Sequence, residues 1–552
     1  MSHLSKVFNK VPVKVMDRSG FDMSHENLFS AKIGTLIPAS VEEVLPGDVV
    51  SVGGAVSVEL PPLATNFKGR LDAKLETFFV PNRIIWKGWQ SFITQDINHN
   101  TSIPGYSIPG EVPKVNLGQA ETTPGSLSDY LGIKAGGVPG TEVSGAFNVL
   151  PFAAYQKIWD DWYRDSTIQK PFFLEDGATQ SEASGTLLKA CLLPFSRNTG
   201  TMNSTSNYTS NNSKVGYNGR LITSLAQRNF AKDYYTTMTT QPQAGAASNL
   251  EFAIEVSGTT GSEGETMNSN GVGSFSIASL RAANSLQKWL ERNNIAGTRY
   301  YEQILAHYGV IPPDANVDRA ILLGSMTTPV IVNSLSQTTQ ATNTQTKNPY
   351  ANSTGAQFGR GTGFGKDRLV NDFEVKEHGF IITIFSLVPH AYYSSGIRRY
   401  IGNQRFVSGQ YAFPEFANIG DQAVKKSELY APFYGSDSDT TIGYNQRYSE
   451  YKYHDDEVHG LLANGQSLKS FVLQKGFNSG VTVSSSLIEI PTNYMDDVMV
   501  TTSSVSGFNA IVDCYFDAKY LRVLPQYSLP SLCNDEDYKG KTVMVDYRGK
   551  RL

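Results

Sequence analysis

One glycine-rich stretch has the residue types of a phosphate-binding loop. It reads GRGTGFGKD from Gly359 to Asp367 and contains a Gly-Lys pair. A P-loop needs a glycine five positions before that pair and a serine or threonine after the lysine, because these residues cradle phosphates and hold Mg²⁺. Arg360 and Asp367 occupy those two positions here. We therefore interpret the stretch as a flexible glycine loop and not as a nucleotide site.

A second stretch concentrates possible metal ligands between His454 and His459. The residues between the two histidines are Asp455, Asp456, Glu457 and Val458. Two histidines five positions apart match no standard motif for zinc or calcium. A solvated loop is the simpler interpretation, and no metal is expected.

Nucleophilic catalysis has no recognisable motif in the sequence. The G-x-S-x-G element of hydrolases is absent. The three cysteines, Cys191, Cys514 and Cys533, form no C-x-x-C pair. An odd number of cysteines without such a pair indicates neither a disulfide framework nor a zinc knuckle, and it fits synthesis in a reducing cytosol. We expect no enzymatic activity and no bound cofactor.

The composition favours sheets and polar loops over charged surface. Charged residues make up 18% of the 552 residues, below the roughly 25% of an average domain. Tyrosine and phenylalanine number 28 each, which suits strands. The low charge predicts that much of the surface is covered by partners. The formal net charge of -4 argues against a protein that coats nucleic acid along its whole surface.

Positive charge is concentrated only at the two chain ends. These ends are candidates for local contacts with nucleic acid, although solvated termini are the simpler interpretation. The candidate residues are Lys6, Lys10, Lys14, Arg18, Arg548, Lys550 and Arg551.

Alternating apolar residues predict strands along much of the chain. The clearest case is residues 71–79, where Leu71, Leu75 and Phe79 alternate with polar positions and Pro81 ends the pattern. Similar runs predict strands at residues 50–58, 380–388, 470–477, 486–490 and 510–524. No repeat of 20 to 50 residues is visible, so we expect one elaborated sandwich in place of a propeller or solenoid. Residues 1–45 show no sustained period and are predicted to form an arm.

Three amphipathic helices are predicted between the strands. The first follows Pro151 and carries Tyr155, Ile158, Trp159 and Trp162 at helical spacing. A second begins after Ser279 and is predicted to bury Leu290 and Trp289, and a third follows Thr298. Ordinary core packing is the simpler interpretation of each apolar stripe, and a subunit interface is the alternative.

Three polar segments rich in Ser, Thr, Asn and Gly are predicted to be surface loops, because they cannot bury much apolar area. They comprise residues 198–218, 246–277 and 334–365.

Several segments resemble signature segments of the major capsid proteins of gokushovirus-like Microviridae, which are small phages with single-stranded DNA. They occur in that family's order, from about residue 15 to residue 532. Among them are EVLPGD at 43–48, FFVPNR at 78–83, LPF at 150–152, DYYT at 233–236, QPQAG at 241–245, SLR at 279–281, GYNQRYSEY at 443–451 and PQYSLP at 525–530.

The resemblance implies a mainly β fold: an eight-stranded antiparallel jelly roll with long inter-strand insertions that contain a few helices. Residues 1–45 would be an N-terminal arm inside the particle, and residues 46–552 a single jelly-roll domain. Such proteins self-assemble into a T=1 icosahedral capsid around circular single-stranded DNA. The insertion at 246–277 is shorter than is usual in the family, so a large projection near the threefold axis is not expected.

The resemblance also implies partners and a location. The partners are further copies of the chain, the packaged DNA, a small basic DNA-binding protein, a DNA pilot protein and a bacterial surface receptor contacted by the loops. The chain would be made and assembled in the host cytoplasm and reside in the virion. Because aromatic residues and arginine are favoured at interfaces, we expect subunit contacts at Trp159, Trp162, Arg164, Arg299, Tyr301 and Tyr308.

Two alternatives remain open at this point. A β-rich carbohydrate-binding or glycoside-cleaving protein would also use tyrosine, tryptophan and polar loops, but it would normally carry a secretion signal, and none is recognisable here. A phage spike protein would fit the loops but not the ordered match.

Overall fold

Strands dominate the computed structural model of the chain. It describes residues 18–86, 89–94, 112–133, 144–173, 220–242, 284–292, 305–306, 308–309, 318–338, 351, 353–402, 411–418, 420–500, 507–524 and 526. Its strands are β1 Ser19–Asp22, β2 His25–Ala31, β3 Ile37–Val44, β4 Val49–Glu59, β5 Leu71–Pro81, β6 Lys114–Leu117, β7 Gly145–Asn148, β8 Ile321–Pro329, β9 Ile331–Ser336, β10 Gln357–Glu374, β11 Gly379–Pro389, β12 Tyr392–Tyr393, β13 Gln422–Lys425, β14 Thr441–Asn445, β15 Asp456–Glu457 and β16 Ala510–Arg522.

The helices are short and lie between the strands. They are α1 Asn82–Ile85, α2 Trp89–Thr94, α3 Leu127–Tyr130, α4 Leu150–Ile158, α5 Lys426–Leu429 and α6 Ser485–Ile488. A π-helix over Trp159–Tyr163 continues α4. Residues 284–292 are also helical, as predicted, but Trp289 on that helix is 47% exposed, so the prediction that it is buried was wrong.

Two antiparallel sheets form the centre of the molecule. The first sheet has the order β1-β16-β4-β10-β9, with β2 also paired to β16. The second sheet has the order β3-β11-β5-β8. Pairing between these strands is antiparallel throughout. The predicted mainly β sandwich is confirmed.

The main core lies between the two sheets because each contributes one apolar side. In β16 every second residue from Ala510 to Tyr520 is buried, and in β4 the valines at 50, 52, 56 and 58 point the same way. Leu75 and Phe385 meet them from the second sheet. A hydrogen bond of 2.9 Å between the hydroxyls of Thr77 and Thr383 satisfies two polar groups inside this layer.

A second apolar layer covers the outer side of the second sheet. Phe78, Ile382 and Ile384 point outward from β5 and β11 and pack against α1, α4 and the π-helix. Strand β11 is consequently buried along its whole length. Such a strand reads as a continuous apolar run, which is the pattern of residues 380–388.

A smaller cluster joins the insertion between β11 and β16 to the segment between β7 and β8. Its buried members include Val424 and Leu429 from the first and Tyr234 from the second. The antiparallel pair β13–β14 and the parallel pair β12–β15 lie in this insertion. The predicted strands at 470–477 and 486–490 were wrong: a 3₁₀ turn over Lys469–Phe471 and helix α6 replace them.

Two boundaries of the predicted organisation are corrected by the sheets. Residues 19–44 form β1, β2 and β3 of the two sheets, so the predicted arm does not extend over them; residues 1–17 lie outside the described residues. These strands were missed because β16, nearly 500 residues away, supplies the partner of β1 and β2. The predicted loop at 334–365 contains parts of β9 and β10, while the loops at 198–218 and 246–277 lie outside the described part.

Candidate assembly surfaces

The predicted interface helix packs inside the chain. Trp159 is 3% exposed, its indole N–H donates to the carbonyl of Gln227 at 3.2 Å, and the guanidinium of Arg220 lies 3.8 Å from its ring centre. The Trp162 indole donates to the carbonyl of Ala320 at 2.8 Å. Both rings therefore join the helix layer to distant segments of the same chain.

Arg164 is likewise engaged within the chain. Its Nε lies 2.6 Å from Asp160 Oδ1 and its Nη1 donates to the carbonyl of Gln169 at 3.0 Å. The side chains of Arg164 and Trp159 are less than a tenth exposed, which leaves them little surface for a second subunit, and a subunit contact at these residues stays a prediction. For Trp162, which is half-buried, a subunit contact stays a prediction.

A buried charge network ties this helix layer to the second sheet. Tyr163 donates its hydroxyl proton to Glu76 Oε2 at 2.5 Å, and Arg228 Nη1 lies 2.5 Å from the same oxygen. Burial opposes ionisation of Glu76, but the charge and hydrogen bond of Arg228, with the bond from Tyr163, hold the Glu76 pKa below its ordinary value. Glu76 is therefore a mostly buried carboxylate, 16% exposed, whose charge depends chiefly on one arginine.

Seven of the described aromatic residues on the insertion between β11 and β16 are exposed. Their rings belong to one stretch of the chain but have no helical or strand period, so their density was the only sequence signal. Phe413 and Phe416 meet edge to face at 6.1 Å, and the Arg398 guanidinium donates to the Tyr400 hydroxyl at 2.9 Å. We refer to these exposed rings together as the aromatic surface: Tyr400, Tyr411, Phe413, Phe416, Tyr434, Tyr451 and Tyr453.

The remaining predicted interface residues are only partly described. Tyr308 is strongly exposed, whereas Arg299 and Tyr301 lie outside the described residues. Their role at an interface stays a prediction.

Strands β1 and β16, the first and the last of the described strands along the chain, meet at one corner of the first sheet. Strand β1 pairs with the end of β16, so that Ser19 lies opposite Arg522. Arg18 sits at this corner and its Nη2 is 3.5 Å from Glu374 Oε1. The other predicted DNA-contact residues lie outside the described residues: Lys6, Lys10, Lys14, Arg548, Lys550 and Arg551.

The acidic stretch after His454 packs against Tyr392 and Tyr393 of the same insertion and against the segment around Asp233, which lies between β7 and β8. Asp456 and Glu457 form β15, and Asp455 lies near Asp233, whose Oδ2 accepts a 2.6 Å hydrogen bond from the Tyr393 hydroxyl. In the ranges that the structure describes, no three His, Cys, Asp or Glu residues group closely enough to hold a metal ion. Within the same ranges, no helix is long and apolar enough to cross a membrane.

Asp455 provides a test of this packing. Burial, followed by the charge of Asp233, raises the pKa of Asp455 to about 6. A raised pKa means that the charged form destabilises the fold, and the cost appears as pH rises from about 4 to about 6. Asp455→Asn should stabilise the protein at pH 7.5 by about 1–2 kcal/mol after allowing for solvent screening. The gain in melting temperature should vanish near pH 4, and Asp456→Asn at the exposed neighbour should show no such gain.

Comparison with known proteins identifies the family. The family model described as "Capsid protein (F protein)" matches residues 9–532. The chain belongs to this capsid protein family. Its function is structural: it is a capsid protein of a Microviridae-like phage virion.

Three curated relatives match this capsid protein over nearly their whole length. It is 27% identical to capsid protein VP1 of Chlamydia phage 1, over 95% of this chain and 97% of the relative. Identity is 25% to capsid protein VP1 of Bdellovibrio phage phiMH2K, over 96% and 98% of the two chains. Identity to capsid protein VP1 of Spiroplasma virus 4 is 23%, over 93% and 95%.

Proposed function

We propose that copies of this capsid protein assemble into a T=1 icosahedral shell that encloses a circular single-stranded DNA genome. The strand order of the two sheets carries the proposal. In chain order, β2, β3, β4, β5, β8, β10, β11 and β16 divide into four-stranded groups ordered β2-β16-β4-β10 and β3-β11-β5-β8. Two sheets of four antiparallel strands with long-range pairing match a double-sheet jelly roll, the architecture of many viral capsid domains.

The aromatic surface is the proposed site of contact between copies. Aromatic residues and arginine are enriched where subunits meet, and exposed apolar patches on a folded chain mark interaction sites. The seven rings of this surface are each at least 40% exposed. Closed symmetry repeats each contact many times, so that individually modest contacts suffice.

The proposed partners follow from charge and from the loops. A net charge of -4 cannot neutralise a packaged genome, which calls for a small basic DNA-binding protein, polyamines or metal ions. The proposal also includes a DNA pilot protein as a partner, host attachment through the polar loops and assembly in the host cytoplasm. We propose no enzymatic activity. The carbohydrate-binding alternative has no relative among the three matches.

Sedimentation and nuclease protection test the proposal. Bacteria producing this capsid protein with its phage genome should yield one fast-sedimenting species that protects circular single-stranded DNA from nuclease. The same preparation without the genome provides the control for protection. A slow species that protects no DNA would contradict the proposal, and affinity of that species for glycans would favour the alternative.

A further inference from the structure

The glycine-rich stretch that fails as a phosphate loop is a strand with two unlike sides. It lies in β10, where Gly359, Gly361 and Gly363 are buried. The alternate positions point out of the sheet, because successive side chains of a strand take opposite faces. These outward positions form a row that we call the β10 row: Arg360, Thr362, Phe364, Lys366 and Arg368.

Close packing explains the glycines on the inner side. A Cβ atom on Gly359 would lie 2.6 Å from the carbonyl oxygen of Thr65, and one on Gly361 would collide with Leu60. One on Gly365 would collide with Thr328. Because no side chain fits at these glycines, the side chains between residues 359 and 366 lie on the outward side.

The β10 row borders a strip of small outward-facing residues on β4, which we call the lane. Through the β4–β10 register, Phe364 lies opposite Ser57, Lys366 opposite Ala55 and Arg368 opposite Gly53. These small neighbours leave the Phe364 ring uncovered, and the residue is 73% exposed. Beyond the lane, Tyr515 on β16 lies opposite Ala55 and is 47% exposed.

The charges on the β10 row are positive. Arg360 pairs with Glu59 at 2.6 Å, and Arg368 lies 3.8 Å from Asp372, both as exposed pairs that cost little to break. Exposed Asp367 lies between Lys366 and Arg368, and Asp513 and Asp517 lie across the lane on β16. In the part of the chain that the structure describes, no carboxylate is within ion-pair distance of Lys366.

Single-stranded nucleic acid fits this arrangement better than a second copy of the chain. Proteins bind it with exposed aromatic rings, on which bases stack, beside cations that contact the phosphates. Lysine is depleted at the centre of protein interfaces, whereas here it adjoins the exposed ring. The outer side of the second sheet is covered by helices, whereas on this side of the first sheet Phe364 and Tyr515 are exposed.

We propose that the β10 row binds the packaged single-stranded DNA, with a base stacked on Phe364 and phosphates held by Arg360, Lys366 and Arg368. This inference rests on the proposed function, since it names where the enclosed genome touches the shell. Tyr515 faces the same lane and can stack a second base.

Binding of an oligo-dT probe to the full-length unassembled chain tests the site. Phe364→Ala should weaken binding by roughly tenfold, the value of one stacked base. Lys366→Gln should lower the slope of log K against log salt by about 0.7, the contribution of one phosphate contact on a single strand. Phe416→Ala and Lys452→Gln, which replace an exposed ring and an exposed cation elsewhere, should change neither quantity.

Particles carrying the same variants separate this inference from the proposed function. If the β10 row contacts the packaged DNA, particles of the Phe364→Ala variant should form in normal yield and contain less DNA. Lower yield and lower melting temperature with normal DNA content would overturn the inference in favour of a protein partner. Unchanged binding and content would also overturn it, while failure of the unmodified chain to form particles would count against the proposed function alone.

Discussion

Replacing Arg228 with glutamine is expected to lower the free energy of unfolding by about 3–5 kcal/mol at pH 7.5. The change removes the guanidinium that lies 2.5 Å from Glu76 and leaves a buried carboxylate without its charged partner. Because unfolding of so large a chain is not expected to be reversible, the melting temperature of the unassembled subunit at a fixed scan rate is the appropriate measurement.

The effect of the Arg228 change should depend on pH with a defined sign. In the unmodified protein the lowered pKa of Glu76 contributes stability that is present above its ordinary value of 4.5 and is lost as pH falls through the lowered value. Without Arg228, burial raises that pKa, so Glu76 takes up a proton more readily. The gap between variant and unmodified protein should therefore narrow from pH 7.5 to pH 5.

Two controls distinguish a buried charge from a general loss of packing. The double change Glu76→Gln with Arg228→Gln should recover much of the loss, because no uncompensated charge remains. Arg360→Gln, at an exposed ion pair, should cost less than about 1 kcal/mol. A gap that is equal at both pH values and unchanged in the double variant would contradict the account of this network.

Trp159→Ala is expected to destabilise the subunit itself by about 3–5 kcal/mol, the usual cost of emptying a large aromatic site in a core. The indole is 3% exposed, stacks against Arg220 and belongs to the apolar layer on the outer side of the second sheet. Soluble yield and melting temperature of the unassembled subunit should both fall. Trp289→Ala, at an exposed tryptophan on a described helix, should have little effect on either.

The opposite result for Trp159 would support the predicted subunit contact. A variant that folds with normal yield and melting temperature but assembles into fewer particles would show that the indole acts between subunits. The intramolecular hydrogen bond to Gln227 and the Arg220 stacking argue for the first result.

Much of the sheet architecture was predictable because its patterns are local. Strands β4, β5 and β16 alternate apolar and polar residues, and β11 is a continuous apolar run, so their sequences carry the period of a strand. Residues 19–44 carry a weaker pattern, and their pairing with β16 and β11 is a tertiary effect. The strand predicted at residues 470–477 was wrong because this run makes only isolated bridges, at Val472 and Lys475, and its first residues form a 3₁₀ turn.

The candidate sites were less predictable than the fold. The aromatic stripe of α4 and its π-helix indicated burial but not which surface covers it, and neither Glu76 nor Arg228 carries any local signal of the other, 152 residues away. The glycines at 359–365 indicated a flexible loop, because sequence does not reveal that Leu60, Thr65 and Thr328 press against that strand. Such close contacts between β10 and its neighbours exist only once the sheets have assembled.

Electron cryo-microscopy of the purified protein tests the central claim most directly. We expect closed shells of one size, in which neighbouring copies cover the aromatic surface and the β10 row faces the interior. Dispersed monomers, or assemblies that leave the aromatic surface open to solvent, would contradict it.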